Sequence, residues 1–211
     1  MFAAAVQGSG HASTARPPRI RPAGPGARRP ADGRPGRLGG VALSGEVGAE
    51  ALVDRQLATL DVPVEVVPCD PTLADTAAFC EAYGYAMEDS ANTIVVVGKA
   101  DPPRYAACVL LATTRLDVNG TVRRRLGVRK ASFAGAEATL ELTGMALGGV
   151  TAVGLPEGLP LWVDAAVLER DRVVLGGGSR ARKLLAPPSL LLALPGAEVV
   201  EGLAAPVPLT P

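Results

Sequence analysis

The sequence predicts an α+β fold, a single domain in which a twisted, barrel-like mixed β-sheet is surrounded by short helices, behind a disordered N-terminal tail. Three observations lead there. Strands arrive as hairpins and as singles between short helices, which is not the regular strand–helix rhythm of a doubly wound sheet. Hydrophobic residues make up 48% of the 211 residues but aromatics only 3%, so the core must be built from Val, Leu and Ala. The 25 Gly and 19 Pro punctuate the chain often enough to keep every element short.

Residues 1–40 hold seven Arg (16, 19, 21, 28, 29, 34 and 37) against the single acid Asp32, amid Pro, Gly and Ala. Such a segment has too little apolar surface to offset the entropy of ordering it, and it reads as a disordered tail. It is either a plain solvated extension or an electrostatic arm for RNA phosphates. The domain is expected over residues 41–203, with a frayed tail at 204–211. Residues 41–211 carry 14 basic and 20 acidic side chains, a balance unsuited to tight nonspecific nucleic-acid binding.

Within the domain, residues 46–60 carry Val47, Leu52, Val53, Leu57 and Leu60 at helical spacing. Val64–Val67 is a short strand closed by Pro68. Asp75 begins a helix that Gly84 ends after Tyr83. Thr93–Val97 and Tyr105–Thr114 are strands of a hairpin turning at Asp101-Pro102-Pro103-Arg104. Asn119-Gly120 opens a short helix carrying Arg123, Arg124 and Arg125 and stopped at Gly127. With Arg129 and Lys130 these cations form either a solvated face or a local RNA contact. A strand near 129–133 and a helix near 135–143 follow, then the glycine-rich loop Gly144–Gly154. Leu161–Val163 and Arg172–Leu175 are strands, with Asp164 placed to cap a turn between them. Gly176–Arg180 is a tight loop, Pro187–Leu194 a helix and Glu198–Val200 a last strand.

The chemical inventory is thin. The sequence has one His, at position 11, and three Cys without a CxxC pair, which excludes most catalytic triads, zinc ribbons and disulfide frameworks. It has neither a P-loop nor a GxGxxG fingerprint. No metal site and no cofactor are expected. No apolar run is long enough for a membrane span, and a cytoplasmic protein with no membrane partner is expected. Cys69, at a strand exit beside Asp70, is the one thiol expected to be accessible, although no base accompanies it. The glycine loops remain. Gly148 and Gly149 either permit a tight turn or bring backbone N–H groups close to a ligand, where several together form an oxyanion site. Asp164 either caps a helical turn or faces that ligand, and Arg180 either pairs with an acid or binds phosphate.

From Val64 to Val200 the order of features resembles the YbaK/EbsC family of aminoacyl-tRNA editing domains, also found within prolyl-tRNA synthetases. The features are the strand Thr93–Val97, Leu116-Asp117, and the block Leu126-Gly127-Val128-Arg129-Lys130. Thr143-Gly144 is then followed by Gly148-Gly149-Val150-Thr151-Ala152-Val153-Gly154, by Leu159-Pro160, by a strand ending in Asp164, and by Gly177-Gly178-Ser179-Arg180. The resemblance implies a hydrolase that cleaves the ester of a small amino acid wrongly attached to tRNA. It acts through positioning and backbone amides, with help from a hydroxyl of the substrate. Its partners would be the aminoacylated 3′ end of tRNA and an aminoacyl-tRNA synthetase; the oligomeric state is left open.

By position, the resemblance gives the catalytic loop to Gly148, Gly149, Val150, Thr151 and Ala152. It gives substrate binding to Asn92, Thr93, Gly154, Asp164, Gly178, Ser179 and Arg180. Asp164 would engage the α-amino group. Three positions depart from the family pattern. Asn92 stands where the family has a lysine, Ala152 where it has a proline, and Val67 where it has a tyrosine. The other reading is therefore a catalytically weak homologue that binds a ligand, tRNA or protein.

Overall fold

Two consecutive apolar runs pair at the centre of the computed structural model, which describes residues 42–207. β2 (Ala91–Gly98) and β3 (Arg104–Leu111) run antiparallel, from Ala91 opposite Leu111 to Gly98 opposite Arg104. This is the hairpin expected from the proline-bearing turn. β5 (Ala131–Phe133) joins the free edge of β2 antiparallel. β6 (Leu161–Asp164) joins β3 in parallel, and β9 (Ala197–Val200) joins β6 in parallel. The resulting sheet is mixed, in the order β5-β2-β3-β6-β9.

The period-2 alternation of these strands builds two cores. Ala107, Val109, Leu161 and Val163 face a large cluster that contains Leu175, Leu184, Leu190 and Leu191. Ala106, Cys108, Leu110 and Trp162 face a second cluster with Val122, Leu126 and Leu203. Because both faces are covered, β2 and β3 read as nearly unbroken apolar runs.

A second, antiparallel sheet has the order β1-β8-β7, from β1 (Glu65–Pro68), β8 (Arg182–Ala186) and β7 (Val173–Gly176). β4 (Thr114–Leu116) pairs with β10 (Ala204–Pro206). The mixed α+β character and the short helices are as expected. The strands divide among three sheets, and no closed barrel forms. Two elements differ from the sequence reading. Residues 182–186 form a strand where none is expected, because Arg, Lys, Leu and Ala are helix formers; pairing on both edges overrides that preference. Residues 204–206 are a paired strand rather than a frayed end. The tail assigned to residues 1–40 lies outside the described residues.

The helices pack around these sheets. α1 (Ala42–Leu57) buries Ala49 and Val53 in the larger core. α2 (Thr76–Tyr83) starts after Asp75 and ends at Gly84, whose φ of 74° is the left-handed C-cap predicted for it. Its Phe79 stacks on Tyr83 and Tyr85 over a third cluster with Cys69, Cys80 and Val174. α3 (Arg123–Leu126) carries the arginines and follows a π turn at Val118–Val122. There the Asp117 carboxylate accepts from Gly120 N and Thr121 N, at 2.9 and 2.8 Å. The Thr121 N–H bond is the main reason that carboxyl stays below its usual range. Arg125 of α3 pairs with Glu198 and lies 4.9 Å over the Trp162 ring, which supports a structural role for this cation. α4 (Ala136–Thr143) ends at Gly144, and α5 (Ser189–Leu192) is shorter than the predicted 187–194.

Candidate active site

The face of the β1-β8-β7 sheet that carries Val174, Gly176 and Lys183 does not close fully against α2. Between them, the start of β2 and the loop at 147–150 bound a cleft of about 250 Å³. Its apolar lining comes from Phe79, Ile94, Val150, Val174 and Leu175, and its polar groups from Thr76, Asn92, Thr93 and Lys183. A small, mostly apolar hollow with a few convergent polar groups is the ordinary form of a small-ligand site.

Four predicted residues come together here: Asn92, Thr93, Gly148 and Val150. Asn92 Oδ1 accepts from Thr76 Oγ1 at 2.7 Å, which ties β2 to the first turn of α2. Thr93 is only 8% exposed, and its Oγ1 is buried with no hydrogen-bond partner among the described residues. A native hydroxyl left in that state calls for a partner from outside the chain. Gly148 has φ +89°, and any Cβ there would collide with the Arg180 guanidinium. The amides of Gly148 and Val150 donate to no group among the described residues. Gly149 N closes a turn on Ala146 O, while its carbonyl accepts from Gly178 N at 2.9 Å.

The other predicted residues face elsewhere. Thr151 N donates to Met145 Sδ, and Thr151 and Ala152 are buried in the interior behind the cleft. Gly154 N donates to Gln56 Oε1 of α1. Gly178 packs its backbone on Ala49 and Val53, and Ser179 Oγ donates to Glu50. α1 thus takes the back of both glycine loops. Arg180 does not line the cleft but fixes its rim, with Nε on Pro71 O at 3.0 Å and Nη1 on Leu147 O at 2.9 Å. Asp164 is the main correction. Its carboxylate accepts from Ala166 N at 3.1 Å and Ala204 N at 2.8 Å, is 3% exposed, and does not line the cleft. It caps the 3₁₀ turn at Ala165–Glu169 and anchors β10, so its partners are main-chain N–H groups of this chain.

Sequence reasoning missed Lys183. On β8 it pairs across from Val67 of β1 and Gly176 of β7, and the alternation of the strand turns its side chain to the α2 face. It is 5% exposed. Nζ donates to Ala74 O at 2.6 Å and Gly148 O at 2.9 Å, and lies 5.7 Å from the Phe79 ring centre. Desolvation holds its pKa below the usual lysine value. The available signal was a lysine followed by Leu-Leu-Ala; read as a strand, it shares a face with Leu185.

All three cysteines are buried, including Cys69, which was expected to be accessible. Burial pushes the thiols of Cys69 and Cys108 up, that of Cys108 to about 12. The native protein at pH 8 should therefore resist iodoacetamide, and all three thiols should label only in denaturant. Rapid native labelling of Cys69, read by mass spectrometry, would contradict this geometry. Among the described residues, no group of three His, Cys, Asp or Glu side chains is placed to hold a metal ion. No helix among them is long and apolar enough to cross a membrane.

Comparison with known proteins shows the family and the fold. A family model described as "Aminoacyl-tRNA editing domain" matches residues 70–194, more than half of the chain and all of the cleft. The crystal structure of a proposed trans-editing enzyme for prolyl tRNA synthetase is similar at 28% identity and a TM-score of 0.63, covering 72% of this chain and 95% of that one. The hypothetical protein APE2540 is similar at 26% identity and a TM-score of 0.65, covering 73% of this chain and 99% of that one.

Proposed function

This chain belongs to the aminoacyl-tRNA editing domain family, and on that footing we propose that it hydrolyses the ester of a small amino acid wrongly attached to tRNA. The observation that carries this reading is the cleft itself. It is lined by Thr93, whose buried hydroxyl has no hydrogen-bond partner among the described residues, and by Gly148 and Val150, whose amides donate to none of those residues, and its volume suits an aminoacyl group rather than the tRNA.

Water adds to the ester carbonyl carbon, and the carbonyl oxygen becomes an oxyanion. Backbone N–H groups held in place before the reaction stabilise that charge without reorganising. The bond to the terminal ribose oxygen of the tRNA then breaks, and that oxygen takes up a proton. The products are a free amino acid and an intact tRNA. An aminoacyl ester is already activated, so positioning does most of the work, and the adjacent ribose hydroxyl adds a polar group to those of the cleft. Selection follows from size. One methylene changes binding by only about 1–3 kcal/mol, so a second site that admits small acyl groups corrects what a synthetase pocket lets through. The partners in this reading are the aminoacylated 3′ end of tRNA and the synthetase that mischarges it, in the cytoplasm.

The direct test is release of labelled amino acid from tRNAs mischarged with alanine, serine or cysteine, at enzyme excess. Release from at least one is expected; full protection of all of them would defeat the reading in favour of a binding module. Thr93→Val refines the test. It should lower kcat/KM about tenfold, the loss of one hydrogen bond made to the substrate. It should leave the urea midpoint unchanged or raise it, because the hydroxyl has no hydrogen-bond partner among the described residues.

A further inference from the structure

We propose that Lys183 is the positioning cation of the cleft, and that its ammonium donates to an ester or ribose oxygen of the bound aminoacyl group. This deepens the editing reading and rests on it. Three observations carry it. The ammonium is buried in the wall of the cleft and spends two of its three N–H bonds on Ala74 O and Gly148 O. No carboxylate among the described residues forms an ion pair with it. The residue opposite on β7 is Gly176, so no side chain from that strand covers it.

A buried charge held by two main-chain carbonyls and the face of Phe79, with no carboxylate paired to it among the described residues, is a costly way to tether a loop. Its third donor and its charge suit an oxygen on which negative charge develops. The same charge repels a ligand's α-ammonium. The acyl ester therefore sits with its carbonyl side toward β8 and its amino group away from it. Asp75, which lines the cleft, offers that amino group an exposed carboxylate, 3.7 Å from Arg180 Nη1. Lys183 also holds the carbonyl of Gly148, whose own amide donates to no group among the described residues, so it aligns the loop as it binds the ligand.

Protonation should read this out. Burial lowers the pKa of Lys183, Arg180 lowers it further, and Cys69, Asp75 and Cys80 raise it. A ligand oxygen favours the charged form. Affinity is therefore full below the depressed pKa, falls as pH rises through it, and binding near it takes up a proton.

The experiment is calorimetric titration of adenosine carrying alanine in a 3′ amide linkage, from pH 7 to 10, on wild type, Lys183→Met and Lys183→Gln. Deacylation of alanyl-tRNA is measured in parallel, and thermal melts check that each variant folds. Expected are at least tenfold weaker binding in the folded variants and a pH-dependent proton uptake in wild type only, beyond what the analogue's own amine contributes in all three. Binding within twofold of wild type in either folded variant, or one shared pH profile, overturns the proposal and leaves editing intact. If wild type binds the analogue but hydrolyses no ester, the editing reading fails and the variants still decide Lys183. If wild type binds no analogue, the Lys183 proposal fails, and editing is decided by release from the three mischarged tRNAs.

Discussion

Replacing Gly176 with alanine is expected to cost about 3 kcal/mol of stability, the upper part of the range for forcing extra volume into a packed interior. Gly176 ends β7 at the floor of the cleft, and its φ is not in the left-handed region. Space alone demands glycine there. A Cβ would fall on the Val150 carbonyl, with Val150 C at 2.7 Å and Gly149 O at 2.9 Å. These are backbone atoms, and the Gly149 carbonyl is already held by Gly178 N, so the loop cannot retreat without breaking a turn. The chain must either part β7 from the loop or open the cleft. Gly48→Ala is the control, because a Cβ there, within α1, meets nothing within 4 Å and alanine is the better helix former; its midpoint in urea should hold or rise slightly. A Gly176→Ala protein within about 1 kcal/mol of wild type would show that the loop yields more easily than its packing implies.

Asp164→Ala should cost about 3 kcal/mol for a different reason. The carboxylate satisfies two backbone donors, Ala166 N and Ala204 N, at a site only 3% exposed, and each orphaned donor costs about 1–3 kcal/mol. Asp164→Asn should recover part of the loss, because its one amide oxygen can serve only one of the two donors. Hydrogen exchange should show β10 loosening from β4 first, since Ala204 loses the hydrogen bond that ties it to β6 outside the ladder. Deacylation by the folded Asp164→Asn protein should stay within twofold of wild type. A variant as stable as wild type but inactive would restore this carboxylate to the substrate, as the family resemblance implies.

The two aspects of Asp164 show where reading the sequence stops. Its place at the end of a strand, before a helical turn, is legible, and so is its capping bond to Ala166, two residues along. The second bond, to a residue forty positions away, carries no local mark, and it decides which way the carboxylate faces. The same holds for the glycine loops. Their positions and their backbone freedom are written in the composition. Which of their amides remain free depends on Met145, Gln56 and Ala146 taking the others. Thr93 and Asn92 were identified through the family resemblance, and both line the cleft. Lys183 was missed together with its strand. Its neighbours favour a helix by propensity, and only pairing with β1 and β7 makes it a strand residue on the cleft face.

By itself, the sequence determined the mixed α+β character, the β2–β3 hairpin, the glycine-ended helices and the loop that carries Gly148 and Val150. These follow from dihedral preferences and apolar periodicity, which act over a few residues. Only the tertiary structure decided that the strands form three sheets, that α1 backs the loops, that Asp164 turns inward and that Lys183 enters the cleft. Those outcomes depend on which distant partner satisfies a buried polar group and which backbone occupies a given space, and neither is fixed by neighbours along the chain.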